Sequence, residues 1–134
     1  MPIYLIFDGG KDDTLGCYGS YQVRVGQTLE LSEVNHRVSY LRFPKCDTSN
    51  EAEYAALIEG LEWLVPNIPI GPEHCQLVII GDSKLVLNQV AGQYRVRAKN
   101  LLPFRERAVG LASKFGAVVF RKLDHRDIKE YLGH

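Results

Sequence analysis

The chain has 134 residues, and hydrophobic residues make up 46% of them, which suits the core of one ordinary domain and is too many for a disordered chain. Sixteen basic residues balance sixteen acidic ones, which argues against indiscriminate binding to nucleic acid or membrane surfaces but leaves room for a local basic stripe. No apolar run approaches the ~20 residues of a membrane span, the start Met1-Pro2-Ile3-Tyr4 lacks the flank and core of a signal peptide, and Cys17, Cys46 and Cys75 make neither a disulfide framework nor a zinc spacing, so the expectation is a single domain over 1–134 in a reducing cytoplasm.

Residues 3–7, Ile-Tyr-Leu-Ile-Phe, are continuously apolar and predict a buried central strand, with a turn at Asp8-Gly9-Gly10. Residues 16–25 and 34–43 mix Tyr, Val and Phe with polar neighbours, as half-buried strands do, and Gly26-Gln27 breaks the run between them. Three strands in an antiparallel meander are expected. Thr48-Ser49-Asn50 then offers three candidate helix caps, and Tyr54, Leu57, Ile58, Leu61, Leu64 and Val65 recur at helical spacing until Pro66. Leu77 to Ile80 predict a second buried strand, closed by Gly81-Asp82-Ser83. One helix is expected from Ser83 to about Gly92. Another begins near Ala98, with Leu101, Phe104, Ala108, Leu111, Ala112 and Phe115 on its buried face. Ala117 to Leu123 make the last strand, and the tail from Arg126 to His134 makes a short helix. Strands separated by helices imply parallel crossovers in a mixed α/β sheet.

Asp8 and Asp82 each follow a predicted strand. If those strands are parallel neighbours, both carboxylates face one crevice, where open α/β sheets place their sites. Glu53, in the first turn of the following helix, lies at the edge of its buried stripe. Each acid alone has a structural explanation. Asp8 can shape a turn, Glu53 can favour the helix dipole, and Asp82 can cap a helix. Together, three close carboxylates repel one another unless a cation joins them. Hard oxygen ligands suit Mg²⁺ or Mn²⁺, and two such ions about 4 Å apart can activate a water and stabilise the leaving oxygen of a phosphodiester.

The segment Thr48-Ser49-Asn50-Glu51-Ala52-Glu53-Tyr54-Ala55-Ala56-Leu57 closely resembles the motif that carries the second catalytic acid of type 1 ribonuclease H. Phe7-Asp8-Gly9-Gly10 resembles the family's first motif. Asp82-Ser83-Lys84-Leu85-Val86, followed by Asn88-Gln89-Val90 and Gly92-Gln93-Tyr94, resembles its third. The resemblance covers nearly the whole chain, in order. It implies an RNase H-like fold, with a five-stranded mixed sheet in the order 3-2-1-4-5 flanked by helices. It also implies two-ion, Mg²⁺- or Mn²⁺-dependent cutting of the RNA strand of RNA–DNA hybrids; a monomer with no membrane partner is expected.

The tail departs from the family, which supplies a fourth acid from the C-terminal helix. Aligned on the last strand, this chain has Leu132 or Gly133 there. His134 is one substitute ligand, with Asp127 and Glu130 as others. His125 resembles the mobile family histidine that assists product release. The loop after Asp8 also differs, and Asp12 and Asp13 read as solvated turn residues. Ser49 replaces an Asn common in the family.

For the substrate, a 2′-hydroxyl is read in the shallow minor groove of the hybrid. The backbone amides of Gly9 and Gly10 can approach it closely because no side chain intervenes. The resemblance implies Asn50 and Gln89 as side-chain partners, with Thr48 and Ser49 on a phosphate of the DNA strand. Lys84, Arg95, Arg97 and Lys99 offer salt-dependent backbone contacts. Two rivals stand beside this reading. Gly81-Asp82-Ser83 superficially resembles the nucleophile segment of Gly-Asp-Ser esterases, and a catalytically weakened RNase H-like nucleic-acid binding module would retain the fold without cutting.

Overall fold

Residues 3–7 are apolar at every position because their strand is covered on both faces. The computed structural model describes residues 1–133, so His134 lies outside the described residues. In chain order the elements are β1 (Ile3–Asp12), β2 (Gly16–Val25), β3 (Glu33–Arg42), α1 (Ser49–Leu64), β4 (Gln76–Gly81), α2 (Lys84–Val90), α3 (Leu102–Ala112), β5 (Ala117–Lys122) and α4 (His125–Leu132). The strands form one sheet in the order β3-β2-β1-β4-β5. The first three are antiparallel, and β4 and β5 run parallel to β1 and to each other. This is the expected fold and strand order.

Alternation along β1 sends Leu5 and Phe7 to one face and Tyr4 and Ile6 to the other. Leu5 and Phe7 join Tyr54, Leu57 and Leu61 of α1, together with Val86 and Ala108, in the larger core. Tyr4 and Ile6 join Leu29, Ile80, Ile128 and Leu132 in a smaller core beneath α4. No helix among the described residues is long and apolar enough to cross a membrane.

Two boundaries differ from the sequence expectation. The first strand does not stop before Asp8. It pairs with β2 as far as Asp12↔Gly16, whereas its pairing with β4 stops at Ile6↔Ile80. The turn falls at residues 13–15, where the Asp12 carboxylate accepts hydrogen bonds from the amides of Thr14 at 2.7 Å and Leu15 at 3.0 Å. Asp12 is therefore a turn-forming residue, and those amides hold its carboxyl below the usual range. The helix expected near Ala98 begins as a 3₁₀ turn at Lys99–Leu101, and α3 proper starts at Leu102.

Candidate active site

Asp8 lies inside β1, not at its end, yet it still opens onto the crevice because the pairing of β1 with β4 ends two residues earlier. By alternation it shares the face of Tyr4 and Ile6, towards α4. Asp82 immediately follows Gly81, the last residue of β4. The helix behind it is capped by Ser83, whose hydroxyl accepts from the Val86 amide at 3.2 Å, so the Asp82 carboxylate is left for the crevice.

Glu53 is brought in by a close approach. A Cβ on Gly9 would lie 2.4 Å from the Ala52 carbonyl oxygen and 2.6 Å from the Glu53 nitrogen, so only glycine lets α1 rest on β1 here. That contact sets the spacing between Asp8 and Glu53. The missing side chain of Gly9 thus serves helix packing and not the approach of a substrate. The Gly9 amide also donates to the Asp8 carboxylate. At Gly10, an added Cβ would meet the Tyr18 hydroxyl at 3.0 Å.

Glu53 sits in the second turn of α1, one turn later than expected, because Thr48 is the N-cap and Ser49 the first helical residue. Thr48 and Glu51 form a reciprocal capping box. The Thr48 hydroxyl accepts from the Glu51 amide at 3.1 Å, and the Glu51 carboxylate accepts from the amides of Thr48 at 3.0 Å and Asp47 at 2.7 Å. The signal for Glu51 was present as Thr-x-x-Glu in the sequence. Part of the most family-like segment therefore serves the helix start.

The carboxylates are electrostatically crowded. Burial first, and then the charge of Asp82, lift Asp8 to about 6, against the opposing pull of His125 and the Gly9 amide. Burial also lifts Glu53 to about 7, with Asp82 and Asp8 adding to it and a hydrogen bond from Ser83 working the other way. One Glu53 oxygen, Oε2, is buried with no hydrogen-bond partner. His125, the first residue of α4, places Nδ1 2.8 Å from Asp82 Oδ2. Asp8, Asp82 and His125 offer ligand atoms that all lie within 4.8 Å of one another. Excess negative charge, an orphaned carboxylate oxygen and a convergent donor set all fit a divalent cation.

The alternative fourth positions lie elsewhere. Leu132 is buried in the core under α4, and Gly133 ends that helix at φ 84°. Asp127 and Glu130 line a separate cavity with Leu29, Glu30 and Arg121. The predicted substrate side chains Asn50 and Gln89 do come together. Both line a groove of about 470 Å³ with Gln93, Tyr94, Arg95 and Arg97. Gln89 is buried and accepts the Tyr54 hydroxyl at 2.7 Å. Ser49 and Thr48 are exposed at the start of α1. Ser83 caps α2 and bonds to Glu53, while the nearby imidazole bonds to Asp82, so among the described residues no serine–histidine pair supports the esterase rival.

No family model matches the chain. The bifunctional protein Rv2228c of Mycobacterium tuberculosis is 37% identical over 117 residues, covering 86% of this chain. A Mycobacterium bovis protein, Mb2253c, matches to the same extent. The chain spans 29% of the length of these curated relatives. Among solved structures, the N-terminal RNase H domain of Rv2228c superposes with a TM-score of 0.75 at 25% identity, covering 98% of this chain and 95% of that one. RNase H1 from the halophilic archaeon Halobacterium salinarum has a TM-score of 0.75 at 22% identity, covering 98% and 94%. LC11-RNase H1, isolated from compost and solved in complex with an RNA/DNA hybrid, has a TM-score of 0.72 at 23% identity, covering 97% and 92%.

Proposed function

This chain is an RNase H1-like domain by fold and by the order of its acidic motifs, and from that premise we propose that it is a metal-dependent endoribonuclease that hydrolyses the RNA strand of RNA–DNA hybrids. The carrying observation is the convergence of Asp8 and Asp82 beside a half-buried Glu53 whose Oε2 is buried without a partner. Asp8, Glu53 and Asp82 would hold two divalent ions, Mg²⁺ or Mn²⁺. Those ions supply an activated water and charge stabilisation for the leaving oxygen.

The protein's own contribution is positioning. Gly9 fixes the distance between β1 and α1, and Ser83 orients Glu53. Asp82 projects from the end of the parallel strands, and His125 belongs to the same site through its bond to Asp82. The hybrid would run from these acids into the groove of Asn50 and Gln89. There the amide side chains suit sugar hydroxyls, and Arg95 and Arg97 suit phosphates. Thr48 and Ser49, at the exposed start of α1, would meet a phosphate of the DNA strand. The backbone at Gly10 would serve the RNA strand, while the Gly9 amide is engaged by Asp8. The hybrid in the LC11-RNase H1 structure supports this choice of substrate. We place the activity in a monomeric domain spanning 1–134 in a reducing compartment, where the free thiols of Cys17, Cys46 and Cys75 persist.

A second reading, a hybrid-binding module with weakened catalysis, is favoured by one observation: apolar Leu132 and helix-ending Gly133 stand where an acid is expected. A labelled-hybrid cleavage assay with Mg²⁺ and Mn²⁺ separates the two. Wild type should cut the RNA strand, and Asp82→Asn should lower cutting at least ~10³-fold with its fold intact by circular dichroism. Undiminished cutting by the variant sinks the assignment, and tight hybrid binding without cutting by wild type selects the second reading.

A further inference from the structure

We infer that His125 is the fourth donor of the metal centre, taking the place of the missing acid and biasing the site towards Mn²⁺ over Mg²⁺. The inference rests on the reading of the acidic crevice as a divalent-metal site.

The direction of the His125 ring is set by how α4 is fastened. Ile128 and Leu132 are buried in the core beneath the sheet. Positions 125, 128 and 132 share one face of the helix, so burying the last two turns the first towards β1 and β4. The far end of α4 is tied down independently. Arg37 Nη2 donates to the Leu132 carbonyl at 2.9 Å, and Gln22 Nε2 donates to the Tyr131 carbonyl at 3.0 Å. Held this way, the helix delivers His125 to Asp82 from its N-terminal end.

The spacing suits shared ligation. Adjacent donors on one octahedral ion, each about 2.1 Å from it, lie about 3 Å apart. Nδ1 and the Asp82 oxygen stand 2.8 Å apart. Among the described residues, no other His, Cys, Asp or Glu joins Asp8 and Asp82 in such a group. The ring is 65% exposed, so turning it from hydrogen bond to ligation needs no repacking. A neutral imidazole replacing a carboxylate also removes one negative charge from the centre. Mg²⁺ favours hard oxygen donors, whereas Mn²⁺ accepts nitrogen more readily.

The test reads metal binding without substrate. Mn²⁺ bound to the intact apo-protein is examined by pulsed electron paramagnetic resonance for coupling to imidazole nitrogen, and Mn²⁺ and Mg²⁺ affinities are measured by titration and competition. Wild type should show the nitrogen coupling. His125→Ala should lose it and bind Mn²⁺ about tenfold more weakly, with a smaller change for Mg²⁺. His125→Asp should lose the coupling and move preference towards Mg²⁺. Unaltered coupling in His125→Ala overturns the inference. So does coupling lost in His134→Ala but kept in His125→Ala, and so does wild type that binds Mn²⁺ without the coupling or does not bind it. If the coupling behaves as expected and hybrids are not cut, His125 remains a ligand and the nuclease reading falls.

Discussion

Glu53→Gln should make the metal-free protein more stable at pH 8, although it removes a charge from the heart of the site. Burial, with Asp82 and Asp8 nearby, lifts the Glu53 carboxyl from 4.5 to about 7. Between those values the folded chain keeps a proton that the unfolded chain has released. Stability therefore falls as pH rises through that window and stays lower above it. The full displacement corresponds to about 3 kcal/mol. Screening by solvent and coupling to the neighbouring acids reduce the expected gain to about 1–2 kcal/mol. Gln keeps an oxygen for Ser83 and places an amide donor where the unpartnered Oε2 lies. At this chain length the gain is roughly 4–8 °C in Tm. The assay is thermal unfolding followed by circular dichroism in EDTA at pH 4 and pH 8, wild type against variant. The gap should open only at the higher pH and should shrink or reverse when Mg²⁺ is added, because the cation stabilises the carboxylates that Gln cannot supply. A variant less stable than wild type at pH 8, or the same gap at both pH values, refutes the reasoning.

Three further outcomes follow from the same geometry. Gly9→Ala forces a methyl group against the Ala52 carbonyl, and should cost about 3 kcal/mol in denaturant unfolding and about 100-fold in hybrid cutting by separating Asp8 from Glu53. Tyr54→Phe leaves the buried Gln89 oxygen without its 2.7 Å partner and should cost about 1–2 kcal/mol, with a rise in KM exceeding any fall in kcat. Arg95→Ala with Arg97→Ala should reduce the slope of log affinity against log salt by about two for hybrid binding, while leaving Mn²⁺ affinity of the apo-protein unchanged.

The strands were legible because they follow from short-range patterns, the sheet order came with the family resemblance, and Asp8 and Asp82 were legible as neighbours at one crevice. An unbroken apolar run marks a strand covered on both faces, and an acid placed just after such a strand faces the crevice. Asp8-Gly9-Gly10 misled for a physical reason. The same glycine that permits a turn also permits a helix to touch a strand, and sequence does not say which freedom is used. Here the strand runs on and Gly9 is spent on the contact with Ala52. Likewise, Thr48-Ser49-Asn50-Glu51 is a helix start as well as a family signature, and Glu51 was overlooked although the Thr-x-x-Glu pattern was visible.

The fourth corner was hidden because it depends on which way a short helix is rolled. Counting residues onward from the last strand finds Leu132 or Gly133 and suggests that the site is incomplete. The roll of α4 is decided by partners far away in sequence: Tyr4, Ile6 and Ile80 accept Ile128 and Leu132, while Gln22 and Arg37 fasten the end. Once those contacts are satisfied, a leucine must occupy the aligned position and the first residue of the helix meets Asp82 instead. A change that loosens α4 should therefore act on the crevice from a distance. Arg37→Ala removes a hydrogen bond to the Leu132 carbonyl at the far end of the helix from His125 and touches no acid of the site. It should still weaken the His125–Asp82 contact, seen as a smaller change in the His125 ring NMR signals when Asp82→Asn is added, at one fixed pH. An unperturbed His125 signal in that variant would show that the helix N-terminus is held by local contacts alone, and the argument from helix roll would fail.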